Sequence, residues 1–120
     1  MRRKFLFLVF TDEPCKQKHA FLYAVDLHKK GYDVKLVVEG LATAIFRELA
    51  CSSPISRLFE EAKACGIIAG ACMTASNGCG SDRASVVDLV TEQNVALLQD
   101  MEGHAGIESF IRDGYEVLVF

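Results

Sequence analysis

The sequence predicts an α/β fold, a three-layer α/β/α sandwich around a mostly parallel five-stranded sheet. Apolar runs alternate with segments of helical periodicity along all 120 residues. The run over residues 5–10 is continuously apolar, as expected for a strand covered on both faces. Strands separated by helices indicate right-handed crossovers and therefore parallel neighbours. Without a linker or repeat, residues 1–120 are expected to form a single domain.

Each element has its own local signal. Residues 12–14 combine acidic residues with a proline and start the first helix, which Gly31 ends. Residues 32–39 are predicted as the second strand, and Gly40 leads into an apolar helical stretch over residues 41–50. The remaining predicted elements alternate helix and strand over residues 52–66, 67–71, 81–90, 95–98, 103–112 and 115–120.

Composition excludes several classes of protein. The net charge is -3 and the basic residues are scattered apart from Arg2-Arg3-Lys4, which argues against a nucleic-acid-binding face. That basic N-terminus precedes an apolar stretch without a cleavage site, so we interpret it as a strand rather than a signal peptide. No apolar stretch reaches the roughly 18 residues of a membrane span, and a cytoplasmic location is expected. A hydrophobic fraction of 51% indicates surface that is covered in an oligomer.

Five cysteines are present, an odd number without any CxxC spacing: Cys15, Cys51, Cys65, Cys72 and Cys79. Free thiols are therefore predicted rather than a disulfide framework, a thioredoxin motif or a zinc ribbon. The glycine-rich residues 78–81 match neither the GxxxxGK[ST] nor the GxGxxG phosphate-binding pattern.

Cys72 is the leading candidate for a catalytic residue. It closes the apolar run of residues 66–71 and opens a small, glycine-bounded segment over residues 73–80. A thiol there would lie at the carboxyl end of a strand, where open α/β sheets place their ligands. A helix starting at this point would favour the nucleophilic thiolate. The alternative is a small buried hydrophobic residue.

The predicted architecture brings distant residues to the same edge of the sheet. The carboxyl ends of the first four strands would form a cleft lined by Thr11, Asp12, Glu39, Gly40, Cys72, Gly103 and His104. His104 could serve as an auxiliary base or hydrogen-bond donor near the thiol, and the alternative is a surface histidine at the start of a helix. Asp12 and Glu39 are interpreted as capping and surface groups rather than a catalytic carboxylate pair.

Two further arrangements involve cysteine. Cys79 follows Cys72 by about two helical turns, too far for a disulfide along a helix, but in a loop it could return as a resolving thiol. Cys15 and His19 share a helix face and could, with Cys72 and Cys79, complete a zinc site. That spacing matches no standard zinc site, so no metal is expected.

Residues 72–80 resemble the Cys-x-x-Ala-x-x-x-x-Gly segment of the DsrE/DsrF/TusD-like family of small sulfur-relay proteins. Gly31-Tyr32-Asp33-Val34, Glu39-Gly40 and the terminal Val117-Leu118-Val119-Phe120 agree with that family in order, so the resemblance covers essentially the whole chain. It implies an α/β/α sandwich that forms homo- or hetero-oligomers. The family's basic residues before the second glycine are replaced here by Asn77-Gly78-Cys79.

The resemblance implies a function as well. Cys72 would accept a persulfide sulfur from a donor protein and pass it to an acceptor protein, without a cofactor because the cysteine carries the sulfur. The alternative hypothesis is a non-catalytic subunit that binds a small ligand or a protein in the strand-edge cleft, with Cys72 structural.

Overall fold

Five parallel strands form one sheet in the order β4-β3-β2-β1-β5. The computed structural model describes residues 2–78 and 84–120. The strands are β1 (Lys4–Val9), β2 (Asp33–Val38), β3 (Ile68–Cys72), β4 (Leu97–Leu98) and β5 (Tyr115–Val119). The helices described are α1 (Pro14–Lys29), α2 (Ile45–Glu48), α3 (Pro54–Ala64), α4 (Met73–Ser76), α5 (Val87–Glu92) and α6 (Glu108–Arg112). The predicted α/β class is confirmed, with a sheet that is parallel throughout.

Helix α1 begins with a side-chain cap at Glu13, one residue after the Asp12 cap expected from the sequence. The Glu13 carboxylate, not that of Asp12, accepts hydrogen bonds from the backbone N–H groups of Cys15 and Lys16. These bonds satisfy donors that the first helical turn leaves free. Pro14 follows the cap at a position where its missing N–H costs nothing.

The two faces of the sheet are covered unequally. On one face, α1, α2, α3 and α5 enclose the large core, which includes the fully buried rings of Phe7, Phe21 and Phe59. On the other face, a smaller cluster joins Leu6, Leu8, Val37, Cys72, Ala75 and Ala105, with Phe110 of α6 packed against it. Alternation along the strands sends successive side chains to opposite faces, so Cys72 belongs to the thinner layer.

Several predicted elements are shorter than expected. Residues 41–50, predicted as one helix, form a 3-10 helix over Gly40–Ala44 followed by α2, and the Thr43 hydroxyl donates to the Gly40 carbonyl at the junction. The predicted strand over 95–98 shrinks to β4. The described part of the helix predicted from residue 81 begins at Val87, and the expected cap at residues 81 and 82 lies outside the described residues.

The largest difference lies before α6. The helix predicted from Gly103 begins only at Glu108. Residues 99–106, hereafter the His104 loop, instead turn back on themselves through an antiparallel bridge between Met101 and His104. The turn is possible because Glu102 and Gly103 both adopt a positive φ. In the described part of the chain, no helix is long and apolar enough to cross a membrane.

Candidate active site at Cys72

Cys72 is the last residue of β3 and is buried, with 1% of its surface exposed. The helix that follows, α4, is only four residues long, and the Cys72 side chain makes no capping bond to it. The expected support from a helix N-terminus is therefore limited to a single turn.

Two polar groups of the His104 loop reach the Cys72 sulfur. The backbone N–H of Ala105 donates a hydrogen bond to Sγ over 3.4 Å. The Nδ1 atom of His104 lies 3.6 Å from the same sulfur. An N–H group directed at sulfur stabilises negative charge there, and an imidazole nitrogen can accept the thiol proton. The structure therefore places an imidazole nitrogen and a backbone N–H donor on one thiol.

The His104 loop is held in this position from α4. The Thr74 hydroxyl donates to the Gly103 carbonyl over 2.6 Å, and the Thr74 N–H bonds the same oxygen over 3.0 Å. At the other end of the loop, the Gly106 N–H bonds the Asp100 carboxylate over 2.9 Å. A Cβ on Gly103 would lie 2.8 Å from the Thr74 hydroxyl oxygen, so this close approach requires glycine.

Glu39 lies beside Cys72 and is not the surface group that the sequence suggested. Val38 pairs with Ala71 in the sheet, so Glu39 and Cys72 occupy the next positions of neighbouring strands. Only 6% of Glu39 is exposed. Burial raises the pKa of this carboxyl to about 7, and the nearby negative charge of Asp100 adds to the effect.

The other residues of the predicted cleft are spread along the edge. Thr11 and Asp12 follow β1, which β2 separates from β3. Gly40 approaches the side chain of Phe10, where a Cβ would lie 3.1 Å from the ring. Gly103 belongs to the His104 loop, while Cys79 lies outside the described residues. The structure thus brings His104 to the Cys72 sulfur, with Gly103 in the same loop and Glu39 at the adjacent position of β2, whereas Thr11 and Asp12 follow β1, two strands away from β3.

A second Cys–His pair lies on α1. Cys15 Sγ is 3.7 Å from His19 Nδ1, and both residues are exposed. Within residues 2–78 and 84–120, no three His, Cys, Asp or Glu side chains are arranged to hold a metal ion. The geometry therefore gives no support to a site that joins Cys15 and His19 to Cys72.

Three contributors to the site were missed by sequence reasoning: Thr74, Asp100 and Ala105. Asp100 precedes the helix predicted over residues 103–112, and Ala105 lies inside that predicted helix, which in the structure begins only at Glu108. A signal was available for Asp100, because it lies just beyond the carboxyl end of a strand. No sequence signal marks the backbone N–H of Ala105 or the hydroxyl of Thr74.

Comparisons with known proteins give relatives without an assigned function. No family model matches the chain. An uncharacterized protein of Archaeoglobus fulgidus is 37% identical over 60 residues, which are 50% of this chain and 98% of the relative. An uncharacterized protein of Methanocaldococcus jannaschii is 26% identical over 101 residues, covering 83% of this chain and 76% of the relative.

A solved structure shares the fold. The conserved protein of unknown function from Bacteroides thetaiotaomicron superposes with a TM-score of 0.70 at 16% identity, over 98% of this chain and 94% of that one. At this identity the likeness shows the fold alone. By sequence, the chain belongs to the same family as the Archaeoglobus fulgidus protein, whose function is not assigned.

Proposed function

We propose that this protein is a sulfur carrier that holds a persulfide on Cys72 and passes the sulfur to a partner. The observation that carries the proposal is the pair of contacts on Sγ, from the Ala105 N–H and the His104 ring. The resemblance of residues 72–80 to DsrE/DsrF/TusD-like sulfur-relay proteins supports the same reading. A reducing cytoplasm, where cysteines stay free, would suit this chemistry.

The transfer needs no cofactor. His104 accepts the Cys72 proton, and the thiolate attacks the outer sulfur of a donor protein's persulfide. A sulfur–sulfur bond forms on Cys72 as the bond to the donor's own cysteine breaks, and that cysteine leaves as a thiolate. Delivery repeats the exchange, because an acceptor thiolate takes the outer sulfur and Cys72 leaves as thiolate. The Ala105 N–H stabilises the charge on Sγ at both stages.

Burial sets a condition on this mechanism. Cys72 is 1% exposed and the His104 loop is one of the elements packed on it. A donor persulfide must therefore displace part of that loop to reach the sulfur. The loop is held by polar bonds centred on Thr74, Gly103 and Asp100, and a single loop side chain, that of Ala105, is buried in the smaller core cluster. Such a segment is expected to open more easily than the core strands.

The same burial favours a second candidate function. Cys72 packs with Leu6, Leu8 and Val37, the environment of a structural cysteine. In this reading the protein is a non-catalytic binding subunit, and a small ligand or a partner protein occupies the strand-edge cleft beside Glu39.

Sulfur loading distinguishes the two candidates. The reduced protein is incubated with a cysteine desulfurase and cysteine, and intact and peptide masses are measured without reductant. We expect a gain of one sulfur atom on the Cys72 peptide that is lost in Cys72→Ser and kept in Cys15→Ser, the matched control with the other histidine-paired thiol. No gain, or sulfur spread over all cysteines, would favour the binding subunit.

A further inference from the structure

The two edges of the sheet are protected to very different degrees. At one edge, β4 is only two residues long, and short edge strands offer little backbone for pairing. At the other edge, β5 runs for five residues, and within residues 2–78 and 84–120 its one paired neighbour is β1. The sequence from Tyr115 to Phe120 contains no lysine, proline or glycine, and its single charged residue, Glu116, is paired with Arg3 of the neighbouring chain segment.

Apolar side chains are exposed along this β5 edge. Val119 and Leu118 are 65% and 38% exposed, although both belong to a β-strand. Tyr23 of α1, 52% exposed, contacts Phe120 with ring centroids 6.1 Å apart. Ile111 of α6, the helix that packs against β5, is also exposed. Exposed apolar residues gathered around an open strand indicate a surface that is covered by a partner.

The backbone of β5 determines which groups are available to that partner. The Phe120 N–H donates to the Leu8 carbonyl, and the Phe120 carbonyl accepts from the Phe10 N–H. Both backbone groups of Phe120 therefore face β1. Along a strand, the backbone N–H and C=O groups of successive residues point alternately to one side and the other. Tyr115, Val117 and Val119 therefore direct these groups outward, away from β1.

These three residues make β5 complementary to itself. We propose that two copies of this chain pair antiparallel along β5, with Val117 of each copy at the two-fold axis. In this register Val117 faces Val117 and Tyr115 faces Val119, so all three outward residues enter hydrogen-bonded pairs, giving up to about six bonds. If the register is shifted while outward-facing residues still pair with each other, at least one of these three residues has no outward-facing β5 residue opposite it in the other copy.

Side chains and charge agree with this register. Tyr115, Val117 and Val119 are every second residue of β5, so their side chains lie on the same face of the sheet. The pairs across the axis therefore join valine with valine and an aromatic ring with a β-branched residue. The only charged side chain of β5, Glu116, forms an ion pair with Arg3 over 2.8 Å. Neutralisation of Glu116 within its own chain lowers the repulsion between the two copies across the axis.

The symmetry also limits the assembly. A two-fold pairing uses the same edge of both copies, and β4 is too short to continue the sheet on the far side. The expected product is a closed dimer in which the five-stranded sheets of the two copies form one continuous sheet. This inference does not depend on the sulfur-carrier proposal.

Solution mass and directed cross-linking test the dimer. Light scattering on a size-exclusion column should give twice the chain mass for the native protein. Val119→Pro removes an outward N–H without touching the bonds to β1, and should raise the dimer dissociation constant by more than about tenfold. Val119→Thr keeps the N–H and the branched shape, and should leave the dimer intact. A native protein of monomer mass, or a Val119→Pro protein that dimerises as before, would overturn the proposal.

Cross-linking tests the register. In a chain with Cys15→Ser and Cys51→Ser, Val117→Cys should form an intermolecular disulfide with diamide as oxidant, because residues opposite one another in such a pair have Cα atoms about 5.5 Å apart. Val119→Cys is the matched control, since position 119 faces position 115 and not itself. Peptide mapping identifies the linked residue. Stronger cross-linking at the more exposed position 119 than at 117 would refute the register.

Discussion

Two Cys–His pairs of nearly equal separation differ in almost every other respect. Cys72 Sγ and His104 Nδ1 are 3.6 Å apart, and Cys15 Sγ and His19 Nδ1 are 3.7 Å apart. The first pair joins the last residue of β3 to the His104 loop, a distant part of the chain, around a buried sulfur. The second lies on one exposed turn of α1. A Cys–His distance alone therefore does not distinguish a reactive site from a coincidence of helix spacing.

The third group in each arrangement makes the difference. His19 Nδ1 lies 2.8 Å from the Cys15 carbonyl, which can only accept, so neutral His19 carries its proton on Nδ1 and cannot take the thiol proton there. The Cys15 N–H is bonded to the Glu13 carboxylate. At Cys72, the Ala105 N–H is directed at the sulfur instead. The two pairs thus differ in their backbone neighbours: the Cys15 carbonyl occupies the His19 nitrogen, whereas the Ala105 N–H is available to stabilise a thiolate at Cys72.

Access should produce the largest difference between the two thiols. We expect iodoacetamide to label Cys15 about a thousandfold faster than Cys72 in the native protein, because Cys72 reacts only from locally opened molecules. Peptide mass spectrometry over a time course measures both rates. In denaturant the two rates should converge. Preferential labelling of Cys72 in the native state would mean that the His104 loop is open most of the time.

The histidines should differ almost as much. His104→Gln should slow sulfur loading of Cys72 by about a hundredfold, since it removes the proton acceptor beside the sulfur. His19→Gln should leave the loading rate within about twofold, because His19 is exposed on α1 and its ring contacts Cys15 and Tyr23 rather than Cys72. Initial rates of sulfur gain measured across a pH series separate the two variants. Equal rates in His104→Gln and the native protein would remove His104 from the mechanism.

The fold was more predictable than the site, for a physical reason. Alternating apolar runs and helical periodicity are local properties, so the parallel α/β sheet and the positions of β1 and β3 follow from the sequence to within one residue. Residues 103–112 were misjudged because helical spacing of apolar residues does not reveal the positive φ of Glu102 and Gly103. The turn at those two residues reverses the chain within the His104 loop.

Site geometry depends on contacts that no local pattern encodes. The i, i+4 spacing makes the Cys15–His19 pair visible in the sequence. The contact of His104 with Cys72 requires β4 to lie beside β3 and the His104 loop to return over the strand end. The sequence predicts a surface position for Glu39 because a glutamate at a strand end is ordinarily solvated, whereas its neighbours in the structure bury it.

Carboxyl groups near the two thiols are shifted in opposite directions. Burial raises the pKa of Glu39 from 4.5 to about 7, whereas hydrogen bonds from the N–H groups of Cys15 and Lys16 lower the pKa of Glu13. A carboxyl with a raised pKa in the folded protein resists ionisation when folded. Its titration therefore lowers the free energy of unfolding as the pH rises from 4.5 to about 7.

This titration predicts a pH-dependent stability centred on Glu39. Between pH ~5 and pH ~8, Glu39 should cost the native protein about 1–3 kcal/mol, and Glu39→Gln should remove that part of the pH dependence. Urea unfolding at both pH values measures the difference. Glu13→Gln is the control: the pKa of Glu13 is lowered, so its contribution is lost only as the pH falls below about 4.5, outside this range. An unchanged pH dependence in Glu39→Gln would contradict the buried placement of Glu39.

The smallest expected effect is a difference in stability between alanine substitutions at two glycines, one inside the His104 loop and one outside it. Gly103 and Gly114 have similar positive φ angles, 87° and 91°, but a Cβ meets the Thr74 hydroxyl oxygen only at Gly103. Gly103→Ala should therefore lower the free energy of unfolding by about 1 kcal/mol more than Gly114→Ala, since both carry the backbone cost and only one adds a clash. Urea denaturation measures this difference.

Because the clash falls on the bond that holds the loop over Cys72, Gly103→Ala should also speed alkylation of Cys72 and leave that of Cys15 unchanged. Equal destabilisation by both substitutions, with no change at Cys72, would show that Thr74 does not hold the loop.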